Sequence, residues 1–333
     1  LDLALPAGLE QALLVAGALS THNRFDAHGS DLVMDVRGRL ARRHLAGERI
    51  DGVVQIGTGF TLSASTTYVT LEDMTLRQGV AIHPVFSRMS RRGVAAWERR
   101  RAAIYSRARM CTVASQWAER SLLEDYGLAR EHVAVVGFGA NHEPTVSGRT
   151  WWPPRFLFVG IDWERKGGPL LLRAFERLRE TYPDASLDLA GGHPPVTQAG
   201  VDAHGMLAQT HRRSRDELVR LYARATCLVM PSLVEPFGIV HVEAARAGLA
   251  SIVSLEGGAA EIVGAQGGIA VDPHDENALV EAMVRIADPA VAERMGRAAR
   301  ERSRLYTWPA VAGRLLRALG LQAPDGDVQT AYL

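Results

Sequence analysis

Lysine is nearly absent from this 333-residue chain: 38 residues are Lys or Arg, and Lys166 is the one lysine. A coding bias towards arginine explains the count but not the exception. Lysine offers a compact point charge with three donors and arginine a broad planar fork, so a tight phosphate site is a reason to keep lysine at one position. Cysteine is scarce as well. Cys111 and Cys227 lie far apart in apolar, strand-like runs, which argues against a disulfide framework and for two buried thiols. No apolar run approaches the ~20 residues of a membrane span. No signal peptide is visible either, so the expected location is the cytoplasm. Net charge is +1, and composition gives no reason to expect nucleic acid as a partner. No His/Cys cluster has metal-ligand spacing. The D-x-D of Asp325 and Asp327 falls in a tail beyond the last expected helix, and neither a metal nor another cofactor is expected.

Among the features that are present, EPFGIVHVEA, residues 235–244, is the most telling. The short apolar run CLVMPS leads into it, and an apolar helical pattern continues to Ala247, where Gly248 stops it. Strand, tight turn and helix N-terminus form a phosphate-holding arrangement in α/β proteins. Glu235 and Glu243 stand on either side of the turn, suited to hydroxyl groups. A ligand with both phosphate and hydroxyls is a nucleotide sugar. Two surface glutamates, one capping a helix, are the alternative, and the flanking strand and turn weigh against it.

Length suits about two domains at roughly 100–200 residues each, and 47% apolar residues support a sizeable core. In the second half, strands are expected at 156–160, 187–190, 227–230, 251–253 and 268–271. Helical spacing occupies 169–179, 214–224, the stretch after Phe237, 276–287, 290–304 and about 309–319. This alternation predicts βαβ units on a parallel sheet. The first half has strand candidates at 52–56, 67–71, 110–114 and 133–137, with helices near 7–19, 31–46, 93–107 and 116–125. Turn and proline residues cluster at 141–154, the expected linker.

Two further loops sit at strand ends. In FVGIDWERKGG, residues 158–168 with Phe156 opening the strand, Arg165 and Lys166 precede two glycines and a helix, placed to neutralise a diphosphate. A solvated basic turn is the other reading. In SLEGGAAEIV, residues 254–263, Gly257 and Gly258 permit close backbone approach. The loop either closes over a sugar or phosphate or is a plain turn.

These residues carry a resemblance. FVGIDWERKGG, LAGGHPP, the run from ELVRLYARATCLVMPS through EPFGIVHVEAARAGLASIVS, the GGAAEIV loop, GGIAVDPHDENAL and the terminal YTW resemble the retaining nucleotide-sugar glycosyltransferases of family four over roughly residues 104–320. The resemblance implies the α/β GT-B fold: two Rossmann-like domains facing across a cleft, with a C-terminal helix crossing back to the first. It implies an acceptor-side domain over 1–148, truncated at its start because the family's opening strand and glycine-rich loop are not recognisable before Leu9. A nucleotide-sugar domain over 149–306 and a crossover helix with tail over 307–333 would follow. By the same resemblance Glu235 contacts the donor sugar and Glu243 the ribose. Phe237, Gly238 and Ile239 offer backbone to phosphate and sugar, Gly160 ends the first strand of the site, and Lys166 holds the diphosphate. His204 to Ala208 resembles the base-contacting loop, acting through the Leu207 backbone.

The chain departs from the family where arginine often follows the strand-ending glycine. Ile161 stands there, and Arg165 is expected to supply the charge. In the first half the family usually has a histidine at the end of a central strand, where this chain has Glu72 and Asp73. Either would orient an acceptor hydroxyl or act as base; a buried capping acid is the alternative. His83, His193 and His241 lie near motifs. A lone histidine is more often packed or on the surface, and His193 is the expected cleft histidine. Residues 88–109 hold eight arginines with Trp97 and Ile104. They read as a solvated, salt-bridged helix, or else as a peripheral contact with an anionic membrane or a phosphorylated acceptor.

The implied reaction is metal-independent sugar transfer with retention, from a nucleoside-diphosphate donor to an acceptor hydroxyl on a glycan, lipid or small molecule. Arg165, Lys166 and Glu235 carry the chemistry. A nucleotide-sugar epimerase of the same fold and a degenerate donor-binding protein without turnover are the rival readings.

Overall fold

The computed structural model describes residues 31–83, 86, 88–142 and 148–322. The expected helix at 7–19, part of the expected linker and the tail holding Asp325 and Asp327 lie outside the described residues. The chain divides into two compact units, whose described parts are 31–136 with 312–322, and 137–311.

The first unit runs α1 (Asp31–Leu45), β1 (Val53–Ile56), β2 (Tyr68–Glu72), α2 (Leu76–Ile82), α3 (Arg91–Tyr105), β3 (Met110–Val113), α4 (Gln116–Glu124) and β4 (Val133–Val135). Its four strands are parallel in the order β1-β2-β3-β4, with Val53 opposite Tyr68, Val69 opposite Met110 and Cys111 opposite Val133. β2 is buried along its whole length, as an inner strand covered on both faces must be. Serine and threonine oxygens satisfy the starts of α2, α3 and α4. Thr75 and Gln78 form a reciprocal capping box at α2, a T-x-x-Q signal that passes unread when the stretch after β2 is taken as a strand-end loop. On α3 the buried side chains are Trp97, Arg101, Ile104 and Tyr105. The two apolar residues that suggested a membrane contact therefore belong to the core. Among the described residues, no helix is long and apolar enough to cross a membrane.

The second unit holds β5 (Arg155–Gly160), α5 (Gly168–Thr181), β6 (Ser186–Gly191), β7 (Val201–Gly205), α6 (Arg212–Arg224), β8 (Cys227–Met230), α7 (Ile239–Arg246), β9 (Ala250–Ser254), α8 (Ala259–Gly267), β10 (Gly268–Val271), α9 (Glu276–Ala287) and α10 (Pro289–Arg302). A 3-10 turn over Ser303–Tyr306 precedes α11 (Trp308–Ala318), whose residues from Ala312 belong to the first unit. The six strands are parallel, in the order β10-β9-β8-β5-β6-β7. Phe156, Phe158, Phe175, Leu187, Leu189, Tyr222, Val229, Ile252 and Met283 fill the core. Cys227 and Cys111 are free and buried.

The order of these strands decides where a site belongs. From β5 the chain builds outward to β6 and β7, then returns to place β8, β9 and β10 on the other side. The reversal puts a topological switch point between β5 and β8, where open α/β sheets leave a crevice at the carboxyl ends of the strands. The β5–β8 ladder holds Phe156 opposite Cys227 and Leu157 opposite Leu228, and β5 continues three residues beyond its last rung to Gly160.

Arg149 braces the back of this arrangement. Its guanidinium donates to the carbonyls of Tyr222 and Ala223 at the end of α6, and to those of Ala247 and Gly248 after α7, over 2.9–3.2 Å. Helix ends leave carbonyls without intrahelical partners and carry partial negative charge, so one cation answers two helices. The ring of Trp151 lies 5.1 Å from the guanidinium.

Candidate functional site

Three strand-end loops of the second unit converge on Glu235. The first, after β5, is residues 161–167. Lys166 ends it with an ion pair to Glu235 Oε2, the two side chains 14% and 7% exposed. Ser232 Oγ donates to the same oxygen at 3.3 Å. Arg165 does not point away into solvent. Its Nε lies 3.2 Å from Asp162 Oδ2, its Nη1 donates to the Val234 carbonyl at 3.3 Å, and its own carbonyl accepts from Leu233 N–H at 2.8 Å. The loops after β5 and β8 are thus zipped together, which fixes where the ammonium of Lys166 can go. Gly167, at φ +76°, makes this possible: a Cβ there would collide with the Pro231 carbonyl oxygen.

The third loop, after β9, is tied to the backbone of Glu235. Glu235 N–H donates to the Glu256 carbonyl at 3.0 Å, and the Glu235 carbonyl accepts from Gly258 N–H at 2.8 Å. Gly257, at φ +105°, lies against this turn, where a Cβ would strike the Glu235 carbonyl oxygen. The SLEGGAAEIV stretch is therefore more than a plain turn, and residues from Ala259 onward form α8. That helix is hard to read from sequence because Gly264 breaks its regular geometry at φ +70°.

Glu235 precedes α7, whose N-cap is Gly238 in the left-handed conformation. Phe237 is buried between the rings of Phe138 and Tyr306, at centroid distances of 5.1 and 5.8 Å. Ile239 opens the helix. Glu243 lies two turns from Glu235 in sequence but points inward. It is 4% exposed and accepts from the Tyr222 hydroxyl at 3.0 Å. Burial pushes its carboxyl up to about 7, against the pull of hydrogen bonds from Tyr222 and the Asn141 N–H. Gly160 ends β5 against the Lys166 side chain, which would touch a Cβ placed there at 3.1 Å. Leu207 follows β7, its carbonyl accepting from Gln209 at 3.1 Å and its side chain packing on the core. Nearby, His204 Nε2 meets Asp188 Oδ1 at 2.8 Å, and Arg224 binds the same buried carboxylate. β7 had no signal in the sequence: its middle residues, Asp202 and Ala203, are exposed at the sheet edge.

The residues expected on the acceptor side are occupied. His193 receives the Gly205 N–H on Nε2 at 3.0 Å, so its Nδ1 carries the hydrogen that goes to the Pro194 carbonyl at 2.8 Å. Both nitrogens are used in clamping the loop after β6 to the end of β7. Glu72, in the first unit, accepts from Thr58 at 2.9 Å and Arg101 at 3.1 Å on one oxygen, and from the Tyr105 hydroxyl at 2.6 Å on the other. Arg101 also lies over the Trp97 ring, 5.1 Å from its centroid. Asp73, the next residue, is half-buried.

A cationic loop, a buried carboxylate and a helix start are gathered at the switch point, the groups that an anionic ligand with hydroxyls would require. Residues 150–302, which contain all of these groups, match the family Glycosyl transferases group 1. By sequence this segment resembles the group 1 glycosyltransferases. A glycogen synthase of Mycobacterium tuberculosis is 35% identical over 197 residues, 56% of this chain and 47% of that protein. A D-inositol 3-phosphate glycosyltransferase of Corynebacterium diphtheriae is 30% identical over 225 residues, covering 60% and 53%. The chain thus spans about half the length of these curated relatives. A solved sucrose-phosphate synthase from Thermosynechococcus elongatus superposes with a TM-score of 0.67 at 22% identity, covering 89% of this chain and 79% of that one. The parallel-sheet α/β architecture is that of the GT-B glycosyltransferases, as the sequence motifs implied.

Proposed function

We propose that this chain is a retaining glycosyltransferase that moves a sugar from a nucleoside-diphosphate donor to an acceptor hydroxyl without a metal. The observation that carries the reading is the Lys166–Glu235 pair held across the β5–β8 switch point. A diphosphate offers Lys166 two negative charges in place of one carboxylate. Arg165 and the start of α7 add positive potential beside it. Glu235, relieved of part of its ion pair, is free to accept hydrogen bonds from hydroxyls of the donor sugar. Gly160, Phe237, Gly238 and Ile239 bring backbone to phosphate and sugar. The Leu207 backbone meets the base, and Glu243, whose carboxyl turns inward to Tyr222, reaches the ribose only by leaving that hydroxyl.

In the reaction, the bond from the anomeric carbon to the diphosphate oxygen breaks with its electron pair leaving on oxygen. The acceptor oxygen bonds to that carbon on the same face and passes its proton to the departing phosphate. Lys166 and Arg165 stabilise the charge that develops there. This scheme needs no protein nucleophile, and cationic side chains do the work that a metal does elsewhere. Of the acceptor-side candidates, Glu72 and His193 have their polar atoms engaged within the protein.

The test is release of nucleoside diphosphate from a panel of nucleotide sugars offered with glycan, lipid and small-molecule acceptors. Acceptor-dependent release that persists in EDTA and is lost in Lys166→Ala supports the reading. Conversion of donor to an epimer without acceptor would replace it with the epimerase, and binding without release would make the chain a donor-binding protein.

A further inference from the structure

His241 occupies a place that packing alone would give to an apolar side chain. It is 1% exposed, and neither ring nitrogen has a hydrogen-bond partner among the described residues. A neutral imidazole carries one donor and one acceptor, and each one left unsatisfied in a core is costly. Its position says what the imidazole is near. A Cβ placed on Gly238 would lie 2.6 Å from His241 Cδ2, 3.0 Å from Glu235 Cγ and 3.5 Å from Glu235 Cδ. The imidazole edge and the carboxylate of Glu235 therefore flank one point, with only a glycine between them. His241 also borders a cavity of about 10 Å³, bounded further by Ser251, Arg302, Ser303 and Tyr306. That is close to the room one water requires.

The charged and titratable groups around the ring are few. Glu235 and Lys166 face it from the loops after β8 and β5. Arg302, from α10, donates to the carbonyls of Ile262 and Glu261 at 2.8 and 2.6 Å. Tyr306 approaches from the 3-10 turn, and the lining residues of α8 and β9 are uncharged. On its own helix, Glu243 points to Tyr222. Burial holds the imidazole neutral, bringing it down to about 4, with Glu235 opposing the shift and Lys166 adding to it.

We infer that His241 is a positioning residue for Glu235: when the diphosphate of a donor engages Lys166, His241 takes a proton from solvent and replaces Lys166 as the counter-charge of the Glu235 carboxylate. The inference rests on the donor-site reading above. Engagement of Lys166 by phosphate changes both neighbouring influences in one direction. It neutralises the cation that disfavours imidazolium, and it leaves the carboxylate that favours it without its partner. The cavity offers the second ring nitrogen room for one water to bond.

The experiment is calorimetric titration of the whole chain with UDP-glucose, ADP-glucose and GDP-mannose at pH 5.5, 6.5 and 7.5, in buffers of low and high ionisation enthalpy. These diphosphate diesters do not themselves titrate in that range. The wild type is expected to take up more protons on binding than His241→Gln, and its affinity to rise relative to that variant by up to about tenfold per pH unit lowered. Glu243 titrates in both proteins, so the difference isolates His241. Equal proton counts and parallel pH slopes overturn the inference. Histidine-selective ¹³C NMR of the wild type gives the answer without a variant: one of the eleven histidines should move to the protonated position on saturation at pH 5.5, and an unchanged spectrum in the saturated protein overturns it. If none of the three compounds binds, the donor-site reading itself fails and this inference falls with it. Binding without differential proton uptake defeats the inference alone.

Discussion

Replacing Glu243 with glutamine should stabilise the protein, and mainly on one side of neutrality. The carboxyl is buried beside Tyr222 and its pKa stands at about 7 instead of the ordinary 4.5. Each pKa unit is about 1.4 kcal/mol, so the ionised form costs the fold about 3 kcal/mol, an order-of-magnitude figure. The sign follows from linkage. The folded state binds this proton more tightly than the unfolded chain, so the group's contribution is fully present below about pH 4.5 and is lost as pH rises through about 7. Glu243→Gln keeps an oxygen for the Tyr222 hydroxyl and holds no charge. Its melting temperature should exceed wild type by about a quarter as much at pH 5 as at pH 8. A gain of about 3 kcal/mol corresponds to roughly 6–12 °C for a unit of this size. Differential scanning calorimetry at the two pH values measures it. Equal melting temperatures at pH 8, or a gain of the same size at pH 5, would refute the argument that burial raises this carboxyl.

Three other expectations follow from the packing. Arg149→Ala removes donors from four carbonyls at two helix ends and should cost about 2–4 kcal/mol in urea unfolding, with Arg149→Lys recovering less than half because an ammonium cannot span both ends. Arg101→Ala leaves the buried Glu72 carboxylate without its cation and should cost about 3–5 kcal/mol, whereas Arg101→Met paired with Glu72→Leu should cost much less. Burial raises both thiols, Cys111 to about 12 and Cys227 further, so neither should react with a thiol reagent in the folded protein at pH 8, and both should react in denaturant.

Much of the second unit was legible because its strands are short apolar runs, and the residues after them supply the candidate site. Arg165–Lys166, Glu235 and Gly257–Gly258 announced themselves by standing at successive strand ends. The physics that joins them was not legible. Nothing in the spacing says that Arg165 is tied to Asp162 and Val234 rather than free, or that Glu243 points into the core towards Tyr222. β7 escaped notice because an edge strand with exposed Asp202 needs no apolar pattern. Arg149 looked like linker, since its role depends on two helix ends that only the fold brings together. His241 read as an ordinary packed histidine, and its unsatisfied ring nitrogens exist only in three dimensions. In the first unit, Glu72 was correctly placed at a strand end, but its partners Thr58, Arg101 and Tyr105 come from separate elements, and no local pattern connects them.

The central claim is that Lys166 receives the diphosphate of a nucleotide sugar. The most direct measurement is the dissociation constant of the donor that binds the wild type, repeated with Lys166→Gln after circular dichroism has shown that the variant is folded. Loss of a charge-assisted contact worth about 1.5–3 kcal/mol predicts a 10- to 100-fold weaker constant. A folded Lys166→Gln that binds the same donor within twofold of wild type would contradict the account.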